Sequence, residues 1–139
     1  MSSNVFLPHG LEARYDVKVP MRDGVYLSAD IYVPEGQEGP FPVVLARTPY
    51  NNMTEESLEA AMFYPQHGYV FVAQDVRGKN DSEGEFYSFH NEFEDGYDTV
   101  EWIGSQAWCD GNVGMVGASY VGNVQWQAAV MNSRYLKAI

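Results

Sequence analysis

The chain has 139 residues, of which 45% are hydrophobic; its three Trp, ten Tyr and seven Phe suit one packed domain and argue against disorder. Nineteen acidic residues against eight Lys and Arg give a net charge of -11, which argues against nucleic-acid and membrane partners because it repels phosphate and anionic lipid. The first ten residues, MSSNVFLPHG, lack the basic start and apolar run of a signal peptide, and no stretch is long and apolar enough to span a membrane. We therefore expect a soluble, cytoplasmic protein.

The N-terminal third begins with two segments of alternating apolar and polar residues. They cover residues 15–19 and 25–33, and Arg22, Asp23 and Gly24 between them are typical of a tight turn. Residues 14–33 therefore predict an antiparallel hairpin. The next segment, PEGQEGP, is too polar and too rich in Pro and Gly to be anything but a loop.

Three pairs of strand and helix follow the hairpin. Apolar runs at 41–46, 69–73 and 113–116 predict buried strands. Helices are predicted at 55–66, at 92–106 and from Tyr120 onward, and the second has Phe93, Tyr97, Val100 and Ile103 at helical spacing. This alternation predicts an α/β domain whose sheet is mainly parallel after the hairpin.

Ser119 lies between the third strand and its helix, in the segment GASYVG. Gly117 and Ala118 are small enough for a sharp turn that would point the serine Oγ outward at the end of a sheet, as a nucleophile elbow requires. The usual G-x-S-x-G pattern would place glycine at Val121, whereas here the glycine comes one residue later, at Gly122. The alternative interpretation is a serine that caps the helix N-terminus.

Acidic residues dominate residues 80–133, which contain nine Asp and Glu and no Lys or Arg. We expect a solvated acidic face; the alternative is that basic partners lie on sequence outside this chain. Just before this segment, Arg77 is expected to pair with a nearby carboxylate in a structural group with Asp75, Asp81 and Glu83. Recognition of a substrate amine by the same group is the alternative.

The sequence gives no sign of a metal or cofactor. Cys109 is the only cysteine, so no intrachain disulfide can form, and the adjacent Asp110 should raise the pKa of its thiol and make it a poor nucleophile. The histidines, at positions 9, 67 and 90, are scattered along the chain. Glycines at 111, 114 and 117 do not form G-x-G-x-x-G, which disfavours a dinucleotide-binding enzyme. We predict no metal site and no cofactor.

Five motifs follow one another along the chain: MRDGVYLSADIYVP, RTPY, DVRGKNDSEGEF, EDGYDTVEWIGSQAWCDGNVGMVGASYVG and VQWQAAV. In this order they resemble the N-terminal part of the X-Pro dipeptidyl-peptidase and cocaine-esterase-like family of α/β-hydrolases. The resemblance implies a truncated α/β-hydrolase fold, with residues 1–139 as the N-terminal part of the catalytic domain and the cap and C-terminal β-sandwich domains absent. It also implies Ser119 as acyl-accepting nucleophile, in the pattern G-x-S-Y-x-G. The implied oxyanion hole consists of the Tyr50 hydroxyl and the Tyr120 backbone N–H, although Tyr50 could instead be a packing residue.

The expected activity is that of a serine hydrolase acting on ester, amide or peptide bonds of a small molecule or short peptide. In α/β-hydrolases the triad follows the chain order Ser, Asp or Glu, then His. After Ser119 this sequence has no Asp, Glu or His, so we expect the isolated chain to be close to inactive. The alternative is a non-catalytic α/β interaction module.

The last residues, 135–139, look like the start of another strand. We therefore expect a sheet cut after the Ser119 helix, which would leave the strand before Ser119 at an unpaired apolar edge. Such an edge favours self-association into a homo-oligomer.

Overall fold

The computed structural model describes residues 10–139, which form one six-stranded sheet with three helices. In chain order the elements are β1 (Leu11–Pro20), β2 (Tyr26–Pro34), β3 (Phe41–Thr48), α1 (Glu55–Gln66), β4 (Val70–Asp75), α2 (Glu92–Gly104), β5 (Cys109–Met115), α3 (Tyr120–Val130) and β6 (Leu136–Ala138). The strand order is β1-β2-β4-β3-β5-β6. The pairs β1–β2 and β2–β4 are antiparallel, and the pairs β4–β3, β3–β5 and β5–β6 are parallel. The predicted fold class is confirmed.

The hairpin predicted at residues 14–33 is formed by β1 and β2. Arg14 pairs with Ile31 and Val19 with Leu27, and a register shift follows Arg14. The shift coincides with Asp16, whose φ of 52° is in the left-handed region, as expected of an inserted residue in a β-bulge. The hairpin lies beside β4 at one edge of the sheet, so the parallel strands occupy the rest of it.

The two faces of the sheet bury different helices. Along β4, Val70 and Val72 belong to the core under α2 and α3, whereas Phe71 and Ala73 belong to the smaller core under α1. This alternation follows from the two-residue period of a strand. Because both faces are covered by helices, β4 is an almost continuous apolar run.

Helix α1 begins and ends where its sequence signals lie. The Thr54 side chain accepts a hydrogen bond from the Ser57 N–H at 3.3 Å, which satisfies one of the free donors of the first turn. Gly68, with φ of 83°, follows the C-terminal end and takes the left-handed conformation that glycine adopts without strain.

Helix α2 differs from the sequence prediction in the face that it buries. Phe93 is exposed, whereas Glu92 and Asp95 are buried beside Val100 and Ile103, so the first half of the buried face is polar. The expected solvated acidic face is therefore wrong at these positions. Both carboxylates contact arginines from earlier in the chain, which also shows that their basic partners do not lie on other sequence.

The edge beyond β5 also differs from the prediction. Instead of an unpaired β5, the short β6 lies beside it in parallel, with Leu136 opposite Val113 and Ala138 opposite Gly114. The edge of the described sheet is thus a three-residue strand, with its neighbour β5 buried at Val113 and Met115. Short edge strands offer little backbone for pairing with another chain.

Candidate active site

Tyr50 and Ser119 lie just beyond the carboxyl ends of two adjacent strands. Tyr50 comes shortly after β3 ends at Thr48, and Ser119 begins α3 after β5. Since β3 and β5 pair in parallel, with Leu45 opposite Met115, both turns lie at the same edge of the sheet. This is the edge at which open α/β sheets carry their ligand sites.

The backbone at Ser119 is strained. Its φ of 58° and ψ of -125° are disfavoured for any residue other than glycine. Its carbonyl accepts the N–H groups of Gly122 at 3.0 Å and Asn123 at 2.9 Å, so Ser119 is the residue at which α3 starts. Its side chain nevertheless makes no capping hydrogen bond and is exposed. Ser119 therefore occupies the N-cap position, but the interpretation that its side chain caps the helix is wrong, and no hydrogen bond within residues 10–139 uses its Oγ.

The glycines on either side of Ser119 lie where an added Cβ would meet close neighbours, and the overlap is severe at Gly117 and slight at Gly122. A Cβ on Gly117 would lie 2.7 Å from the Val121 Cβ and closer still to its Cγ1, and the φ of Gly117 is 133°. A Cβ on Gly122 would lie 3.2 Å from the Gly117 carbonyl oxygen. The backbone after Ser119 therefore comes close to a neighbour at position 122. The usual G-x-S-x-G pattern places its second glycine at 121, and here a valine is tolerated there because the close approach falls at 122.

Tyr120 anchors the start of α3 through its side chain. Its Oη accepts the Phe89 N–H at 3.0 Å, and the two rings stack with centroids 4.3 Å apart. Burial, and to a smaller extent the Glu92 carboxylate, raises the pKa of the Tyr120 phenol to about 12, so it stays protonated at neutral pH. The backbone N–H of Tyr120 is in the first turn of the helix, where no intrahelical acceptor exists, and nothing in residues 10–139 accepts it.

Tyr50 is presented on a loop that is fixed by β4. Its side chain is 61% exposed, and no hydrogen bond within the described range uses its hydroxyl. The Tyr50 N–H donates to Thr48 Oγ1 at 3.0 Å. Asn52 donates its N–H to Asp75 Oδ1 at 3.0 Å and its Nδ2 to the Ala73 carbonyl at 3.2 Å. The phenol is thus free while the backbone beneath it is tied to the sheet.

A cavity of about 560 Å³ lies between the Tyr50 loop, the first turns of α1 and the turn before Ser119. Tyr50, Tyr64, Ala118 and Val121 are among its lining residues, with Glu55 at the start of α1. The cavity reaches residues on both sides of Ser119, although Ser119 itself does not line it. Its size and mixed lining suit a small organic group.

No histidine hydrogen-bonds Ser119 within residues 10–139. His67 follows the last residue of α1, and its Nδ1 lies 2.7 Å from the Phe63 carbonyl oxygen. His90 is exposed in the turn before α2, with its ring 6.2 Å from that of Tyr87. His9 lies outside the described residues.

The other predicted groups have structural surroundings. Cys109 is buried, and burial, more than the adjacent Asp110, raises the pKa of its thiol. Arg77 donates to both carboxylate oxygens of Asp95, at 2.8 and 2.9 Å, and also pairs with Asp23 at 2.8 Å. Arg77 thus has a structural role, joining the hairpin turn to α2, but the expected grouping is wrong because its partners are not Asp75, Asp81 or Glu83. Over residues 10–139, no three His, Cys, Asp or Glu side chains are placed to hold a metal ion, and no helix is long and apolar enough to cross a membrane.

Three residues near the site were not predicted. Arg47 is completely buried and donates to Gln74 Oε1 at 2.6 Å beneath the carboxyl end of β3. Gln127 Nε2 donates to the Phe89 carbonyl, and the Phe89 N–H in turn donates to Tyr120 Oη. An arginine inside the apolar run FPVVLART and a glutamine inside the apolar helix α3 were signals of buried polar contacts. The role of Phe89 had no signal, because it depends on its backbone conformation.

Comparisons with known proteins agree with this architecture. A family model for X-Pro dipeptidyl-peptidase (S15 family) matches residues 23–139. Cocaine esterase from Rhodococcus sp. (strain MB1 Bresler) is 48% identical over 128 residues, which cover 89% of this chain and 22% of the esterase. An α-amino acid ester hydrolase structure matches with a TM-score of 0.79 at 33% identity, covering 93% of this chain and 25% of its own. A CocE/NonD family hydrolase from Staphylococcus aureus matches with a TM-score of 0.83 at 30% identity, covering 92% and 27%.

The chain thus spans between 22% and 27% of the length of these relatives. The family model, in contrast, covers the chain from the hairpin turn to Ile139. The strand order, the turn at Ser119 and the sequence match lead to one assignment: the chain belongs to the X-Pro dipeptidyl-peptidase (S15) family of α/β-hydrolases.

Proposed function

We propose that this chain carries the nucleophile and the oxyanion hole of a serine hydrolase that cleaves ester, amide or peptide bonds. The observation that carries the proposal is Ser119, whose backbone is strained while its Oγ is exposed and makes no capping bond. Residues with strained backbone conformations cluster at functional sites. The strand, sharp turn and helix around Ser119 support the proposal because a nucleophile elbow requires this order of elements.

The chemistry begins with attack of Ser119 Oγ on the substrate carbonyl carbon, while a base takes the Oγ proton and then gives it to the leaving alcohol or amine. A tetrahedral intermediate forms, and its collapse expels the alcohol or amine and leaves an acyl-serine ester, which water then hydrolyses. The former carbonyl oxygen carries negative charge in the intermediate. The Tyr120 N–H and the Tyr50 hydroxyl are the donors proposed for that oxygen, and each donor in such a site lowers the barrier by roughly 3 kcal/mol.

The base and its orienting acid are proposed to come from sequence outside these 139 residues, with residues 1–139 proposed as the N-terminal part of the catalytic domain. Two facts support this: the triad order in α/β-hydrolases, and the absence of any Asp, Glu or His after Ser119 in this sequence. A serine without its base keeps only the rate enhancement of the oxyanion hole and of binding. The 139-residue chain alone should therefore be slower by several orders of magnitude than the natural polypeptide that contains it.

The substrate is proposed to be a small ester, amide or short peptide. The cavity of about 560 Å³ beside Ser119 has a size suited to such a group, and two tyrosines and two acidic residues, Glu55 and Glu56, line part of it. The similar proteins named as a cocaine esterase and an α-amino acid ester hydrolase support an ester as the first substrate to test.

The test is hydrolysis of p-nitrophenyl acetate by the natural polypeptide that contains this sequence. Ser119→Ala should lower kcat by at least a thousandfold. Ser105→Ala is the matched control, because Ser105 is exposed at the end of α2 and bonds only to that helix and its neighbour Gln106; it should leave kcat unchanged. Retention of kcat in Ser119→Ala would overturn the proposal.

A further inference from the structure

We infer that Phe89 is a positioning residue for the oxyanion hole. It holds the first turn of α3, and with it the Tyr120 N–H, in the orientation that the reaction needs. The inference rests on the proposed function of Tyr120, and it assigns to Phe89 no contact with the substrate.

Both backbone polar groups of Phe89 bond to side chains of α3. The N–H donates to Tyr120 Oη at 3.0 Å, and the carbonyl accepts from Gln127 Nε2 at 3.0 Å. Tyr120 and Gln127 are seven residues apart, close to two helical turns, so they share one side of the helix. One residue of the loop therefore clamps two successive turns of α3.

The ring of Phe89 completes this clamp. It stacks on Tyr120 with a centroid distance of 4.3 Å and an interplanar angle of 19°. Phe86, from the same loop, contacts the Tyr120 ring from farther away, with centroids 6.1 Å apart. The phenol of Tyr120 is therefore enclosed by the loop, and its rotamer is fixed by contacts on the ring as well as on Oη.

Phe89 adopts an unfavourable backbone conformation to make these contacts. Its φ is 62°, a region that bulky residues rarely occupy. Burial of its ring does not explain the strain, since 43% of the side chain is exposed. The contacts that the strained conformation makes are those with Tyr120 and Gln127, and strain of this kind persists only when surrounding contacts fix it.

The start of α3 needs such support because it lacks an ordinary cap. The Ser119 side chain does not bond to the first turn, and Ser119 itself is strained. Beneath the turn, Gln125 donates to the Gly117 carbonyl at 3.1 Å and holds the approach to Ser119. The Phe89 clamp holds Tyr120, the residue after Ser119. Small displacements of a catalytic donor cost large factors in rate, which gives the clamp its functional weight.

The experiment measures kcat and KM for p-nitrophenyl acetate in the natural polypeptide, with kcat expressed per active site titrated with a fluorophosphonate. Phe89→Ala keeps both backbone bonds but removes the ring that stacks on Tyr120, so it should lower kcat about tenfold with KM changed less than twofold, because the donor is less well held while substrate binding is kept. Phe89→Tyr should keep wild-type kcat because it retains the ring. Tyr87→Ala is the matched control: its exposed ring in the same loop contacts His90 and Glu85, away from α3, and kcat should not change.

A second pair of variants tests whether the clamp acts as a unit. Tyr120→Phe removes the Oη acceptor but leaves the backbone N–H, and it should also lower kcat with KM unchanged. The double variant with Phe89→Ala should be no slower than the slower single variant. Equal kcat for Phe89→Ala and Tyr87→Ala would overturn the inference. So would a Phe89→Ala variant that has fewer titratable active sites but an unchanged kcat per site. Ser119→Ala is measured in parallel. If Ser119→Ala keeps its activity, the proposed function fails. If Ser119→Ala is inactive but Phe89→Ala behaves as wild type, only the positioning role of Phe89 fails.

Discussion

Replacing Gly117 by alanine should damage the turn before Ser119 through both backbone strain and steric overlap. The glycine has φ of 133°, which costs a residue with a Cβ about 1–3 kcal/mol. The new methyl would also lie 2.7 Å from the Val121 Cβ, and overpacking of this kind costs a further 1–3 kcal/mol or so. The total loss in free energy of unfolding is therefore about 2–6 kcal/mol.

Gly111→Ala is the matched control for this prediction. Gly111 also has a positive φ, of 92°, but an added Cβ would meet nothing within 4 Å, so only the strain remains. We expect Gly117→Ala to be less stable than Gly111→Ala by about 1–3 kcal/mol, the cost of overpacking alone. A double variant with Val121→Ala removes the Cγ1 overlap and should recover part of the difference.

The assay is urea unfolding followed by tryptophan fluorescence, with the unfolding free energy taken from the midpoint and slope of each curve. If Gly117→Ala were no less stable than Gly111→Ala, the packing of the turn against Val121 would be refuted. Failure of Val121→Ala to recover any stability would refute the same contact.

Three further changes test other parts of the structure. Tyr50→Phe in the natural polypeptide should lower kcat for an ester by about a hundredfold and leave KM nearly unchanged, and an unchanged kcat would remove Tyr50 from the oxyanion hole. Asp30 is buried, and burial raises its pKa to about 6, so its share of stability is present below pH 4 and is lost as the pH rises through 6. Asp30→Asn, which keeps an acceptor for the Asp16 N–H, should therefore raise the unfolding free energy at pH 8, by about 1 kcal/mol after solvent screening is allowed for, and a loss of stability at that pH would contradict the assignment. Arg77→Met should lower the free energy of unfolding by about 3–5 kcal/mol, because it leaves the buried Asp95 carboxylate unpaired. Asp23→Asn removes the exposed partner of the same arginine and should lower it by less than about 1 kcal/mol. Urea unfolding measures both changes.

Much of the fold could be predicted because its elements carry local signals. The Thr54 cap, the glycine at 68 and the apolar runs of β3 and β4 are decided by residues a few positions apart. Helix α2 shows where this fails. Its aromatic spacing predicted that Phe93 would be buried, but Glu92 and Asp95 face the core because Arg47 and Arg77 reach them from other elements. Pairings between residues far apart in sequence leave no periodic pattern.

The site was predictable to a similar extent. Ser119 and its small neighbours have a local signature, and the position of Tyr50 follows from the end of a strand. The sequence could not distinguish a helix cap from a free serine, because the distinction depends on the φ and ψ of Ser119. Phe89 was missed for the same reason, since a positive φ at a phenylalanine opposes its intrinsic preference.

Covalent labelling with a fluorophosphonate tests the central claim most directly, that Ser119 is the nucleophile. Intact mass would be read for the natural polypeptide, for its Ser119→Ala variant and for the 139-residue chain alone. We predict one adduct in the natural polypeptide, mapped to Ser119 by peptide analysis, and none in the variant or in the isolated chain. An adduct that survives Ser119→Ala would contradict the assignment of the nucleophile, and rapid labelling of the isolated chain at Ser119 would contradict the claim that the base lies on other sequence.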